Sequence, residues 1–193
     1  MIRVNEHYAL VCRKVWSGDV LLFHGRGPAA CLIGMAGRGG PTHTGLAVWS
    51  HEVLLCAEMV WSGGRAVCLS HLVRRYPGAI HVYRLAGCSE TNLRYAERFE
   101  ACAAMLGFTG LPYGYADFCR VAALHVPILR RFVRAERSGA NGERPHRAFC
   151  SQAVSAAYRK AGIDLRPDLV DRLTEPRHLV DSEMLEYQFT LVP

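Results

Sequence analysis

Residues 42–60 run Thr42-His43-Thr44-Gly45-Leu46-Ala47-Val48-Trp49-Ser50-His51-Glu52-Val53-Leu54-Leu55-Cys56-Ala57-Glu58-Met59-Val60, and how this stretch folds decides the architecture. Thr44 to Trp49 and Glu52 to Val60 are two short apolar runs of strand character. Ser50-His51 between them reads as a two-residue hairpin loop, although Asn-Gly is the favoured pair there. A turn about Ser50-His51 pairs Trp49 with Glu52 and, further along, sets His43 directly opposite Glu58. The two side chains then share one face, with Cβ atoms about 5 Å apart. A carboxylate in that place orients an imidazole and stabilises its charged form. Gly45, two residues on along the same face, leaves room beside His43. A one-residue slip of register would part them. The alternative is a surface His at a strand start and a solvent-facing Glu near a sheet edge.

Working outward, residues 19–23 (DVLLF) read as a buried strand introduced by Gly18. Residues 24–41 are rich in Gly and Pro around an apolar patch from Ala29 to Met35, a loop with one helical turn. Ser62-Gly63-Gly64 is a turn, followed by a strand from Arg65 to Leu69, a short helix over 70–75 and a strand from Ile80 to Leu85. The spacing of Tyr95, Phe99, Cys102 and Leu106 predicts a helix over 90–106, with Ser89 as N-cap and Gly107 at its end. Residues 116–133 are helical in period with a break at Pro127. Residues 134–147 are a polar surface loop. Residues 150–161 form a helix with Gly162 beyond it, and 187–192 (YQFTLV) a last strand. The sum is an antiparallel sheet with helices segregated around it, an α+β fold. No repeat or boundary divides the 193 residues, so 1–193 reads as one domain.

Composition narrows the function. Half the residues are hydrophobic and 21% are charged, which suits a globular core and excludes disorder, collagen and coiled coil. The formal net charge of +6 comes almost entirely from Arg, since Lys14 and Lys160 are the only lysines. That charge tolerates an anionic wall polymer, a lipid surface or nucleic acid, but no nucleic-acid-binding motif is present. The 8 cysteines contain no C-x-x-C pair, which argues against structural zinc. His24, His43, His51 and His71 lack the helical spacing of metal ligands, so the expectation is no metal and no cofactor. Scattered cysteines, no signal-peptide run at Met1 to His7 and no span-length apolar segment point to cytoplasmic synthesis without a transmembrane segment. Action elsewhere then needs lysis or a secretion machine.

Cys150 stands apart from the other cysteines. It opens a helix after a polar loop, where the macrodipole and free backbone N–H groups favour thiolate over thiol. The same amides can hold an oxyanion. A buried structural Cys is the competing reading. With His43 as base and Glu58 as orienting acid, Cys150 completes a Cys-His-acid triad.

The segments G-D-V-L-L-F at 18–23, T-H-T-G-L-A-V at 42–48, the Glu58 strand, G-L-P-Y-G at 110–114 and F-C-S-Q-A-V at 149–154 resemble the circularly permuted NlpC/P60 family, the papain-like group of YiiX/YebB type. The order His, acid, Cys is the permuted one, and the likeness runs from Gly18 to about Pro176. It implies a papain-like antiparallel sheet with helices packed on it, Cys150 as nucleophile, His43 as base and Glu58 as the residue orienting it. Tyr113 resembles the family's tyrosine near the site, as pocket wall or oxyanion donor, or else is a core aromatic. Ser151 and Gln152 are assigned to the cleft, and Asp19 to structure. The resemblance implies a cysteine amidase or peptidase acting on peptidoglycan stem peptides or related small peptides. The alternatives are a lipid acyl hydrolase or acyltransferase of the lecithin-retinol acyltransferase-like type, and a non-catalytic binding protein. Residues 116–147, apolar and then Arg-rich, are a candidate lid, partner surface or membrane contact; a solvated Arg face is the plainer reading.

Overall fold

The computed structural model describes residues 5–25, 40–89, 92, 94–125 and 146–193. Seven strands form one sheet in the order β1-β7-β6-β2-β3-β4-β5. They are β1 (Asn5–His7), β2 (Val20–Gly25), β3 (His43–Ser50), β4 (Val53–Val60), β5 (Gly63–Cys68), β6 (Gly78–Leu85) and β7 (Leu185–Val192). All neighbours pair antiparallel except β1, which runs parallel to β7 at one edge. The helices are α1 (Tyr8–Val11), α2 (Leu69–Arg75), α3 (Tyr95–Leu106), α4 (Tyr115–Leu124), α5 (Cys150–Lys160) and α6 (Pro176–Val180). The α+β class with helices on an antiparallel sheet is therefore the observed one.

Alternation along the strands splits the core in two. Val20, Leu22, Leu46, Val48, Ala57 and Met59 face α3 and α5, meeting Ala101, Met105, Val154, Ala157 and Tyr158. Leu21, Phe23, Ala47, Leu54, Cys56, Ile80 and Val82 face the other way, onto Val11, Val15, Leu69 and Val73. The sheet is thus buried on both faces, which explains why β2 reads as an unbroken apolar run.

Two expectations need correction here. The α3 stripe is rotated from the predicted one: Tyr95 and Phe99 are exposed, while Arg98, Ala101, Cys102, Ala104 and Met105 are buried. Small residues let α3 approach the Ala-rich face of α5 closely, and the large rings are left outside. Ser89 is not the N-cap either. The helix begins at Tyr95, and Ser89 Oγ accepts from the Asn92 N–H in the preceding turn. The Ala29–Met35 patch, the Pro127 break, Arg130, Arg131, Arg134, Arg137 and Arg144, and with them most of the 116–147 lid, lie outside the described residues.

The start of β2 is fastened by a buried charge. Asp19 is fully buried and accepts from Arg84 Nε at 2.9 Å, Arg84 Nη2 at 2.7 Å and the Trp16 N–H at 2.8 Å. Arg84 in turn lies over the Trp16 ring, 3.6 Å from its centroid. Asp19→Ala leaves the Arg84 guanidinium without its counter-ion. We expect a loss of about 3–5 kcal/mol in urea unfolding; a loss below 1 kcal/mol would show that Arg84 finds water instead.

Candidate active site

β3 and β4 carry the first two groups, but in a register two residues from the predicted one. The loop is His51-Glu52, with His51 in the left-handed region at φ 52°, and Ser50 pairs with Val53. Glu58 therefore stands opposite Gly45, not His43. A two-residue shift keeps every side chain on its face. His43 and Glu58 become diagonal neighbours, within reach of a long side chain, and His43 Nε2 meets Glu58 Oε2 at 2.7 Å. Gly45 makes this closeness feasible. A Cβ there would lie 2.6 Å from Cys56 Sγ and 3.3 Å from Glu58 Cβ, displacing the carboxylate's stem.

Glu58 has a second partner that the sequence reading missed. Arg65 is its direct cross-strand neighbour on β5. Its Nε and Nη2 reach Glu58 Oε1 at 2.8 and 2.7 Å. Only a hairpin turned about Trp61-Ser62 gives this pairing, and the sequence reading assigned the turn one residue later. Burial works against the Glu58 charge, yet the His43 and Arg65 contacts outweigh it and hold the carboxyl below its ordinary range.

Cys150 is the first residue of α5 and is almost fully buried. Its helix is anchored at both ends. Gln152 Oε1 accepts the Phe149 N–H at 3.3 Å, and Gly162 at φ 79° turns the chain at the other end. α5 lies against β3, which carries the helix start to His43. His43 and the backbone amides of Thr44 and Ser151 lie close enough to the Cys150 thiol to favour its charged form. With Nε2 engaged by Glu58, Nδ1 is the ring nitrogen left for the sulfur. Burial opposes a thiolate here, but His43 and the two amides overcome it and lower the Cys150 pKa. Burial likewise opposes the His43 charge, and Cys150 and Glu58 raise its pKa to about 10. Three other thiols shift the opposite way: burial pushes Cys56 and Cys88 up, and Cys102 up to about 12.

The remaining candidates divide. Tyr113 is buried beside the thiol, and burial first, then the Cys150 charge, raises its pKa. Its ring packs on Trp61 at 5.0 Å and Tyr115 at 5.1 Å between centroids. The Ser151 and Gln152 side chains are buried and bonded within the protein. Ser151 Oγ donates to the Thr174 carbonyl at 2.6 Å, and Gln152 Nε2 donates to Asp117 Oδ2 at 3.3 Å while its oxygen caps α5. Of Ser151 and Gln152, it is the Ser151 backbone amide that acts on the Cys150 charge. The segment after Val170 is thereby tied to the helix that bears Cys150.

No family model and no curated protein matches this sequence. Among solved structures the fold is similar to the metalloprotein YiiX from Escherichia coli O157:H7, with a TM-score of 0.65 and 14% identity over 93% of this chain and 99% of that one. The chain therefore has a YiiX-like fold.

YiiX is a metalloprotein, and the donors at the site described here do not fit a metal ion. Both Glu58 oxygens are engaged, one by His43 and one by a permanently charged guanidinium that repels cations. The His43 ring lies between Glu58 and Cys150. Among the described residues no group of three or more His, Cys, Asp or Glu is arranged to hold a metal ion. Nor, among them, is any helix long and apolar enough to cross a membrane.

Proposed function

We propose that this chain is a cysteine hydrolase of the circularly permuted NlpC/P60 type, with Cys150 as nucleophile, His43 as base and acid, and Glu58 as the group that orients His43. One observation carries the reading: a buried cysteine at a helix start lies beside an imidazole whose Nε2 is held by a buried carboxylate at 2.7 Å. In the proposed reaction the thiolate adds to an amide carbonyl, and the amides at the start of α5, with the Tyr113 hydroxyl, receive the oxyanion. His43 gives its proton to the departing amine, leaving a thioester. Water then attacks as His43 takes one of its protons, the acid is released and the thiolate returns.

Peptidoglycan stem peptides or related small peptides are the proposed substrates, cut near the γ-D-glutamyl to diaminopimelate bond. Synthesis in the cytoplasm, followed by wall-fragment turnover there or delivery by lysis or a secretion machine, accords with this reading. The test is low-concentration biotinylated iodoacetamide at pH 6 with peptide mapping, followed by assay of wall-peptide cleavage. Cys150 is expected to label first, ahead of the exposed Cys68 and Cys119. Alkylation is expected to abolish cleavage and EDTA to leave it intact. Labelling spread evenly over the thiols would overturn the assignment.

A further inference from the structure

We propose that Trp61 and Tyr115 form a substrate subsite for an apolar group next to the reacting carbonyl. This rests on the cysteine hydrolase reading and names a substrate feature that reading leaves open. Trp61 is 48% exposed and Tyr115 50%. Their rings stack with centroids 5.7 Å apart and planes 22° from parallel. Tyr113 lies against both, and its backbone bridges to Ala148, two residues before Cys150. On the other side Phe118 packs on Trp61 at 5.1 Å and on Phe149 at 6.4 Å, and Phe149 precedes Cys150 in the chain. The rings thus run from the surface to the residue that precedes the nucleophile.

The outer pair is also held still. The Tyr115 hydroxyl donates to the Trp61 carbonyl at 2.5 Å. The Gly64 N–H donates to the Leu111 carbonyl, and the Gly110 N–H to the Gly64 carbonyl, both at 2.9 Å. A Cβ on Gly63 would come within 2.6 Å of the Leu111 oxygen, and one on Gly64 within 2.0 Å of the Phe108 oxygen. The tip of the β4–β5 hairpin is therefore seated on the 108–115 loop, and Trp61 is placed by backbone contacts. Rings already fixed lose little further entropy when a ligand covers them. Half-exposed aromatic faces continuous with a site favour a flat or aliphatic partner over a charged one.

The experiment compares alkylation of Cys150 in the full chain by iodoacetamide and by N-benzyl iodoacetamide, each rate divided by that of N-acetylcysteine at the same pH. The wild type is expected to favour the benzyl reagent roughly tenfold. That ratio should fall toward one in Trp61→Ala and in Tyr115→Ala, and be largely kept in Trp61→Phe. Phe99→Ala, which removes an exposed ring from α3, should keep it in full. Rapid iodoacetamide reaction with a wild-type ratio near one overturns the subsite and leaves the hydrolase reading standing. A ratio that survives both alanine changes also overturns it. Slow reaction with both reagents overturns the reading on which the subsite rests.

Discussion

Cys150→Ala is expected to cut kcat/KM about 10⁶-fold, the scale on which losing a covalent nucleophile acts. No neighbouring group on the described chain replaces it. Cys56 and Cys102 are buried thiols with raised pKa values, and Ser151 is turned to the Thr174 carbonyl. The pH dependence follows from the signs of the two coupled shifts. A lowered Cys150 pKa means that the thiolate survives as pH falls below the ordinary thiol range. A His43 pKa raised to about 10 means that the imidazolium survives far above the ordinary 6.5. Both charged forms coexist between these limits, so cleavage should be bell-shaped, with its basic limb near pH 10. His43→Ala removes the largest group stabilising the thiolate, and burial then acts unopposed by any charge on β3. The midpoint of Cys150 alkylation should move up to the ordinary thiol range near 8.5 or beyond. An unchanged midpoint in His43→Ala would show that the helix start alone activates the sulfur.

How far the sequence speaks depends on which physical period carries each feature. The partnership of His43 and Glu58 was legible although the hairpin turn was misplaced by one residue, because strand side chains repeat every two residues and the error moved the register by two. The diagonal geometry that results needs Gly45, whose missing Cβ was also visible. Arg65 escaped because its place depends on a second hairpin with its own register. The α3 stripe was misjudged for a different reason. Large rings at helical spacing suggest a buried face, but the face chosen was the one whose alanines fit against Ala153 and Ala157 of α5. Helical periodicity gives a stripe only when a partner's shape does not select another. The approach of Cys150 to His43 had no local signal at all. It is set by α5 packing across β3, a contact between segments at opposite ends of the chain, and only the family resemblance anticipated it.

Glu58→Gln is expected to lower kcat on the order of 10²–10⁴-fold, the range in which a positioned acid–base group contributes. The amide still fills the space between Gly45 and Arg65, so the loss measures charge and not volume. Arg65→Gln should act more gently and in a diagnostic direction. Arg65 holds Glu58 Oε1 through an Nε hydrogen bond at 2.8 Å and an ion-pair contact from Nη2 at 2.7 Å, whatever the state of His43. Without it, burial favours the protonated carboxyl, so the Glu58 pKa rises. The imidazolium loses its anchor at a higher pH, the thiolate it supports is lost at a higher pH with it, and the acid limb of cleavage moves upward. Arg65→Lys keeps the charge but not the guanidinium's fixed fork on Glu58, and should recover part of the shift. The double variant separates positioning from mere support of the hairpin. If Arg65 works through the Glu58 carboxylate, Arg65→Gln has no further effect on the pH profile once Glu58 is Gln. A shift of equal size in both backgrounds would mean that Arg65 acts on the thiolate directly through its own charge, and that the buried carboxylate is set by His43 alone.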